Sequence, residues 1–247
     1  MPAKLGAKIW YLAHSGFAVQ TAGNFLVFDY SNPAPCKEGR GLKSGVIDQE
    51  EISKFNVMFF ASHAHGDHFN PEILELDKKI KNLHFVLSHD IGRRRVRNLT
   101  LAHPNQEYQI NGVFVRTLES TDEGVAFIVE VDGLKIYHAG DLNWWHWEDE
   151  PDEENQAMAR RYKGQIDMLK DESFDFAFVP VDTRLSDAYL WGLDYLMGTV
   201  NVNMVFPMHF WENYDVFDSL FSDERTSRYR DRIVRISHRG ERFVYSG

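Results

Sequence analysis

A cluster of metal-ligand side chains at residues 63–68 constrains this chain more than any other stretch of its sequence. It has the spacing His-x-His-x-Asp-His, and its members are His63, His65, Asp67 and His68. The apolar residues 57–61 before it predict a buried strand. Asn70 and Pro71 after it predict the N-cap and the first position of a helix. The cluster is therefore expected on the loop between a strand and a helix, where neighbouring side chains converge on one point.

Imidazole and carboxylate groups together are typical ligands of zinc, and manganese or iron uses the same types of ligand. The alternative interpretation is a polar loop in a histidine-rich chain, which has 11 histidines among 247 residues. At that composition the pattern arises by chance on the order of once in a thousand chains of this length, and we therefore favour a metal site. Four such residues on one loop cannot all reach one small cation, which indicates two metal ions rather than one.

Composition limits the class of protein. The 247 residues are 43% hydrophobic, and predicted strands and helices alternate without a linker, so we expect a single domain over residues 1–247. The single cysteine, Cys36, excludes an internal disulfide and indicates a reducing compartment. The N-terminal residues lack the apolar region of a signal peptide, and no apolar stretch has the length of a membrane span. We expect a cytoplasmic protein that does not bind a membrane.

Charge limits the partners. The formal net charge of −10 argues against a nucleic-acid partner and favours a small-molecule substrate. The basic run at residues 93–97 is the main exception. We interpret it as a solvated helix face, and the alternative is an anchor for an anionic substrate or for another subunit.

Hydrophobic periodicity predicts strands and helices in alternation. The predicted strands are residues 9–12, 17–20, 25–29, 57–61, 83–87, 134–138, 174–179 and 203–207. The predicted helices are residues 71–81, 90–99, about 157–169, 187–200 and 215–231. A closing hairpin is expected to pair residues 233–237 with 242–245. Residues 30–48 are rich in glycine and proline and predict a long loop at the rim of the site.

Residues 17–26 and 127–136 share one pattern of aromatic, aliphatic and glycine positions at a constant offset of 110. Each copy continues towards an aspartate, Asp29 in the first and Asp141 in the second. The pattern indicates an internal duplication that produces two facing halves. Two unrelated hairpins of similar composition are the alternative.

Two more candidate ligands lie at the ends of predicted strands. Gly140 lets the backbone turn so that Asp141 projects from a sheet edge, and His209 follows another apolar strand. Alone, Asp141 would be interpreted as a turn residue and His209 as a core histidine. Beside the loop cluster, both are candidate metal ligands.

The residues named so far resemble the metallo-β-lactamase-fold hydrolases. The matching segments, in the order of that family, are residues 63–68, 140–141 and 207–209. Residues 11–17, Tyr-Leu-Ala-His-Ser-Gly-Phe, are similar to the opening signature of the branch that contains ascorbate-6-phosphate lactonase-like and N-acyl-phosphatidylethanolamine phospholipase-like enzymes. The resemblance implies an α/β protein, an αβ/βα sandwich of two mixed sheets with helices on the outer faces and the metal site along their shared edge.

The resemblance also implies the ligand sets. They are His63 and His65 for one metal ion, Asp67, His68 and His209 for the other, and Asp141 as the bridge. The family usually adds a third histidine to the first site, but residues 117–124 contain none. Either that site is weak or empty, or Asp122 or Glu119 replaces the imidazole, or His14 fills in. We favour an occupied second site and a partial or substituted first site.

The chemistry implied is hydrolysis of a small-molecule ester, lactone or phosphoester by a metal-held water, with Asp67 orienting that water or taking its proton. Asp29 is either a support for a ligand histidine or an ordinary strand-end aspartate. His14 is either part of the site wall or a hairpin residue. Arg184 is either a clamp for an anionic substrate or a surface ion pair. His146 follows Asp141 closely enough to be a candidate site residue.

The walls of the site are expected from residues 30–48, 144–147 and 182–184. The tryptophans at 144–147 also suit a core or a subunit contact, which is compatible with a homo-oligomer. The rival functions are a phosphodiesterase or nuclease of the same fold, a di-iron redox protein with a flavin or rubredoxin partner, and a non-enzymatic metal-binding protein with an incomplete first site.

Overall fold

Two mixed β-sheets form the body of the structure, a computed structural model in which residues 6–37 and 39–247 are described. The expected absence of a signal peptide concerns mainly residues 1–5, which lie outside the described residues. None of the helices formed by the described residues is long and apolar enough to cross a membrane.

The first sheet contains seven strands in the spatial order β13-β1-β2-β3-β4-β5-β6. Its strands are β1 (Ala7–Ala13), β2 (Gly16–Gln20), β3 (Asn24–Phe28), β4 (Asn56–Ala61), β5 (Leu83–Ser88), β6 (Leu99–Ala102) and β13 (Arg242–Tyr245). Strands β3 to β6 are parallel, and the other pairs are antiparallel. The sheet is therefore mixed.

The second sheet contains six strands in the order β12-β11-β10-β9-β8-β7. Its strands are β7 (Glu107–Ile110), β8 (Val113–Glu119), β9 (Val125–Val131), β10 (Leu134–His138), β11 (Ser173–Pro180) and β12 (Asn201–Met208). Strands β10 to β12 are parallel and the remaining pairs antiparallel. The α-helices are α1 (Gln49–Ile52), α2 (Asp152–Asp167), α3 (Trp191–Thr199) and α4 (Val216–Ser222).

Alternation along the strands explains why the sheets stack. In β1, Ile9 and Tyr11 belong to the core between the sheets, whereas Trp10 and Leu12 belong to a second apolar cluster on the outer face of the first sheet. Successive side chains of a strand point to opposite faces of the sheet. A strand that is apolar on both faces therefore needs another layer of structure packed on each face. The second cluster includes Ile52 of α1, and helix α3 packs on β11 and β12 of the other sheet. The αβ/βα sandwich is confirmed.

The internal repeat has a structural counterpart. Phe17 pairs with Phe28 in the β2–β3 hairpin, and the residues 110 positions later, Phe127 and His138, pair in the β9–β10 hairpin. Each hairpin is followed by a parallel strand on the same side. The two hairpin turns also touch, because the Asp132 carboxylate accepts a hydrogen bond from the Asn24 amide at 2.9 Å. Shared register and shared topology support the duplication.

The helix predicted over residues 71–81 is present as a 3₁₀ helix, Pro71–Lys78, which ends three residues early. Other local predictions were wrong. Residues 90–99 contain only the end of a 3₁₀ turn, His89–Ile91, because Gly92 takes a positive φ of 74° and ends it. The basic run is consequently not a helix face. Arg97 folds back onto Asp77, with 3.2 Å between Nε and Oδ1.

The C-terminal predictions also need correction. The helix expected over residues 215–231 ends at Ser222, because Asp223 is extended and its carboxylate accepts from the Arg225 amide instead. Local side-chain bonds of this kind compete with helix continuation. The closing hairpin is absent from the described residues. Strand β13 pairs with β1, and Ile233 makes a single bridge to Val205.

We expect the ion pairs of Glu172, just before β11, to stabilise the second sheet in a pH-dependent way. Its carboxylate contacts Arg116 and lies 2.7 Å from Lys135 Nζ. Burial alone would raise the pKa of Glu172, but the two cations outweigh it and hold that pKa below its ordinary value. A group with a depressed pKa contributes stability above its unfolded pKa and loses it as the pH falls.

Glu172→Gln should therefore lower the free energy of unfolding by up to about 1 kcal/mol at pH 7. The loss should shrink below about pH 4, near the ordinary pKa of glutamate. Urea unfolding at several pH values measures it. Glu130→Gln is the control, since Glu130 pairs with the same Lys135 at 2.9 Å but is more exposed. Equal losses at pH 7 and pH 3 would contradict the assignment.

Candidate metal centre

The ligand loop lies where the sequence placed it, between β4 and the 3₁₀ helix Pro71–Lys78. Asn70 caps that helix by accepting a hydrogen bond from the Glu72 amide at 2.9 Å. The Ala64 amide donates to the Asp90 carboxylate at 2.8 Å, and the His68 amide donates to the carbonyl of His65 at 3.0 Å. These bonds curl the loop so that its side chains face the edge shared by the two sheets.

Eight side chains form two groups in which the potential ligand atoms lie within 4.8 Å of one another. The first group is His63, His65, Asp122 and Asp141, and the second is His14, Asp67, His68 and His209. Asp141 faces both groups. Its carboxylate oxygens lie 3.6 Å from His63 Nε2, 3.2 Å from His68 Nε2 and 3.5 Å from His209 Nε2. The structure therefore brings all six predicted ligands together.

Asp122 lies in the first group, at the position where the sequence lacks the expected histidine. Its Oδ2 lies 3.8 Å from His65 Nδ1, and the Glu123 carboxylate lies 3.6 Å from His65 Nε2. Glu119 belongs to neither group. His14 joins the second group instead of the first, with its Nε2 at 3.4 Å from Asp67 Oδ2. Glu123 was not foreseen, and its position beside Asp122 was the available signal.

Three histidines are oriented from behind by acceptors. His68 Nδ1 lies 2.8 Å from the Asp29 carboxylate, and His209 Nδ1 lies 2.9 Å from the Asp182 carboxylate. His63 Nδ1 lies 3.0 Å from the Ser62 hydroxyl. In the neutral form of each ring, donation from Nδ1 leaves Nε2 with a free lone pair. A metal-binding histidine is usually held in this way, because the bond at one nitrogen fixes the tautomer and ring orientation at the other.

Buried polar atoms without partners test whether these residues fit a metal ion. Within the described residues, His63 Nε2, His68 Nε2, Asp141 Oδ1 and both ring nitrogens of His14 are buried and form no hydrogen bond. Leaving one such group unpaired costs about 1–3 kcal/mol. The three histidines and Asp141 belong to the two ligand groups, so cations bound there would satisfy them together. The donor set fits a pair of metal ions.

The electrostatics of the cluster are those of tightly coupled acids and imidazoles. Burial would raise the pKa of Asp141, but His68 and His209 outweigh it and hold that pKa well below the ordinary range. Burial would lower the pKa of His209, yet Asp141 and Asp182 raise it to about 9. Burial lowers the pKa of His63. Metal ligands must be deprotonated, so a cation bound at this cluster displaces protons from it.

The sequence left open whether Asp29 supports a histidine of the cluster or is an ordinary strand-end aspartate, and the structure shows that it supports His68. It is fully buried and accepts from the Ser62 amide at 2.8 Å and the Ser62 hydroxyl at 2.7 Å, as well as from His68. His138 was missed by the sequence analysis. It donates from Nε2 to the Ser15 carbonyl at 2.9 Å and accepts at Nδ1 from the Gly140 amide at 3.2 Å, which shapes the turn before Asp141.

Backbone strain is concentrated around the cluster. His14, Asp29 and His209 take positive φ angles of 51°, 42° and 64°, and Trp211 has 52°. Each costs on the order of 1–3 kcal/mol for a residue with a side chain, and such strain clusters at functional sites.

A cavity of about 310 Å³ opens over the two groups. Its lining is His65, Asp67, Asp122, Asp141, Trp145, Trp147, Met158, Arg184, His209 and Trp211. Among described residues, none from the loop 30–48 contributes, so that part of the prediction was wrong. Segments 144–147 and 182–184 do contribute.

His146 does not line the cavity, so its prediction as a site residue was wrong. Residues 144–147 alternate, so that Trp145 and Trp147 line the cavity while Trp144 and His146 line a separate groove beside Trp191. Arg184 pairs with Asp182 and also lines the cavity, and its role as a clamp for an anionic substrate stays a prediction. The homo-oligomer suggested by the tryptophans stays a prediction.

The chain belongs to the family described as the beta-lactamase superfamily domain, which matches residues 8–157. It is similar to a UPF0173 metal-dependent hydrolase of Korarchaeum cryptofilum (strain OPF8), with 23% identity over 212 residues that cover 82% of each chain. It is also similar to a UPF0173 metal-dependent hydrolase of Thermococcus onnurineus (strain NA1), with 26% identity over 150 residues that cover 54% of this chain and 61% of the relative.

Solved structures of the same fold are distant in sequence from this chain. Igni18, a novel metallo hydrolase from Ignicoccus hospitalis, has a TM-score of 0.66 at 16% identity and covers 97% of this chain and 98% of its own. The metallo-beta-lactamase fold protein YhfI from Bacillus subtilis has a TM-score of 0.64 at 11% identity and covers 98% and 100%. The fold is that of the metallo-β-lactamases. Placement in the ascorbate-6-phosphate lactonase-like branch stays a prediction.

We expect Gly124 to be essential for bringing Asp122 to the cluster. Gly124 has a φ of 71°, and a Cβ there would collide with the Ser62 carbonyl oxygen and lie 2.7 Å from His63 Cβ. Gly133 has a similar φ of 76°, but a Cβ there would meet nothing within 4 Å. Both glycines have a positive φ, but only at Gly124 would an added Cβ collide with a neighbouring segment.

Gly133→Ala should cost about 1–2 kcal/mol of unfolding free energy, for the left-handed backbone alone. Gly124→Ala should cost a further 1–3 kcal/mol, roughly, because the ligand loop must move. Chemical denaturation of both variants measures the difference. If Gly124→Ala is no worse than Gly133→Ala, the close approach of the two segments is wrong.

Proposed function

We propose that this protein is a metal-dependent hydrolase that acts on a small-molecule ester, lactone or phosphoester. One observation carries the proposal: the unpartnered His63 Nε2, His68 Nε2 and Asp141 oxygen converge within the two ligand groups. The names of the relatives as metal-dependent hydrolases support it. The acidic net charge of −10 and the small cavity favour a small molecule over a nucleic acid.

We propose zinc as the metal, in one or two ions, because histidine and carboxylate ligands suit it; manganese and iron would use the same residues. When bound, such an ion lowers the pKa of its water and polarises the oxygen of the substrate. His68, His209, Asp67 and His14 would hold one ion. His63, His65 and Asp122 would hold the other, with Asp141 between the two groups.

Asp67 is proposed as the residue that orients the attacking water. Asp67 and Asp141 both line the cavity, but the Asp67 side chain is about one-third exposed whereas Asp141 is buried. The nearby His14, whose Nε2 lies 3.4 Å from the Asp67 carboxylate, holds the pKa of Asp67 well below its usual range. A carboxylate of low pKa is a weak base, so orientation through a hydrogen bond suits it better than removal of the proton.

We expect His68→Ala to remove bound metal and with it both activity and stability. Purified wild-type protein should contain zinc by elemental analysis, hydrolyse members of a panel of lactone, ester and phosphodiester substrates, and lose thermal stability with a chelator. His84→Ala is the control, since His84 lies on β5 and bonds the Thr100 hydroxyl away from both groups. Absence of metal from the wild type, together with unchanged stability in His68→Ala, would overturn the metal-centre proposal. A protein that binds metal but hydrolyses nothing would be a metal-binding protein instead.

Asp122→Asn should lower the occupancy of the first group and leave the second intact. An amide is a poorer ligand than a carboxylate, so we expect the zinc content to fall by about one ion per chain in a protein that binds two. Glu119→Gln is the matched control, because Glu119 is a nearby acid outside both groups. Titration with zinc under competition by a chelator measures the sites separately. An equal effect of the two variants would contradict the substitution of Asp122 for histidine.

A further inference from the structure

Arg184 places a single permanent cation in a cavity whose other charged walls are acidic. The carboxylates of Asp67, Asp122 and Asp141 line the cavity, and Arg184 is the one arginine or lysine among the described lining residues. It sits next to the cluster, because its partner Asp182 also accepts from the ligand-type His209. The position of this guanidinium bears on which substrates the cavity accepts.

The guanidinium is held in a fixed orientation. Its Nε lies 3.0 Å from each Asp182 oxygen, and its Nη2 donates to Oδ2 at 2.6 Å. Its central carbon lies 4.8 Å from the ring centre of Trp211 and 5.6 Å from that of Trp147. Stacking and pairing of this kind pre-organise arginine for a planar anion. Half of the side chain remains exposed.

The Asp223–Arg225 pair has the same local arrangement as the Asp182–Arg184 pair, and the comparison shows how Arg184 differs. Asp223 and Arg225 repeat the arrangement at the start of another 3₁₀ turn, with Nε at 3.0 and 3.1 Å from the carboxylate oxygens and Nη2 at 2.7 Å. In that copy, Nη1 donates to the Asp187 carbonyl at 3.0 Å. In Arg184, Nη1 has no hydrogen-bond partner among the described residues. The N–H groups of Nη1 are therefore available as donors at the cavity.

Apart from His65 and His209, the remaining walls are tryptophan and methionine side chains. Trp145, Trp147, Trp211 and Met158 line the cavity. Trp211 is 48% exposed and has a positive φ, so an apolar surface is presented to solvent on a strained backbone. Exposed apolar surface of this kind is typical of a binding site. A ligand ring lying against these tryptophans would cover it.

From these walls we propose that the substrate is a small ester or lactone with an apolar or aromatic body and one carboxylate, which accepts a hydrogen bond from Arg184 Nη1. This inference rests on the proposed hydrolase function. The cavity of about 310 Å³ suits a molecule of that size. A single negative charge is favoured over a dianion, because the Asp182 carboxylate already accepts from two nitrogens of Arg184 and repels additional negative charge beside it.

Matched esters test the proposal: 4-acetoxybenzoate, its neutral amide 4-acetoxybenzamide, and the dianionic 4-acetoxyphenyl phosphate. In each, water adds to the acetyl carbon, the bond between that carbon and the aryl oxygen breaks, the phenoxide takes up one proton of the water, and acetate and the second proton are released. We expect the wild type to favour the carboxylate over the amide by at least about tenfold in kcat/KM, mainly through KM. Arg184→Gln should reduce that ratio to near one, and Arg184→Lys should restore part of it.

Arg225→Gln is the control, because it breaks the same motif away from the cavity and should leave the wild-type ratio unchanged. Quenching of tryptophan fluorescence by 4-hydroxybenzoate and 4-hydroxybenzamide gives a readout that does not need turnover. Hydrolysis of both esters at equal kcat/KM, or an unaltered ratio in a folded Arg184→Gln, overturns the carboxylate site and leaves the hydrolase function standing. A larger kcat/KM for the phosphate than for the carboxylate overturns the choice of a single charge. Arg184-dependent binding of 4-hydroxybenzoate without any hydrolysis supports the carboxylate site and overturns the hydrolase function.

Discussion

The buried carboxylate of Asp29 is the interaction on which the ligand loop depends. It lies at the end of β3, beside the strand that delivers the loop, and three donors from Ser62 and His68 converge on it. A buried charge is costly unless it is fully hydrogen-bonded. These three bonds offset that cost only when the loop has its observed course, so one residue on a neighbouring strand fixes where His68 and, through Ser62, His63 point.

The two halves of the sandwich use one topological position for two purposes. Asp29 follows β3, and Asp141 follows the equivalent strand β10, but the offset of 110 that relates the hairpins would place Asp29 on Ala139. The two extra residues include Gly140, whose φ of 53° turns the chain over Ser62. The first aspartate therefore stays under the loop as a support. The second reaches past the sheet edge and faces both ligand groups.

Sequence spacing was sufficient to place the ligand loop, Asp141 and His209 at one sheet edge, because each lies at a strand end marked by an apolar run. The αβ/βα sandwich was predicted from the family resemblance. The spacing could not decide between Asp122, Glu119 and His14, since that choice depends on how closely Gly124 lets one segment approach another. Local helix predictions failed at Gly92 and Asp223, where a positive φ or a side-chain cap ended the turn. Strand β13 was paired wrongly because the free edge of β1, far away in sequence, is its partner.

The cluster contains structural features that lower the stability of the fold. Strained backbone at His14, Asp29 and His209 adds to the cost of the unpartnered ring nitrogens of the cluster. The rigid sheets can hold this arrangement because both ligand groups are attached to strand ends or to short loops between strands. A bound cation would partner the buried histidine nitrogens, and its binding free energy would then be part of the folding free energy. In that case the metal affinity and the stability of this sheet edge would depend on the same contacts.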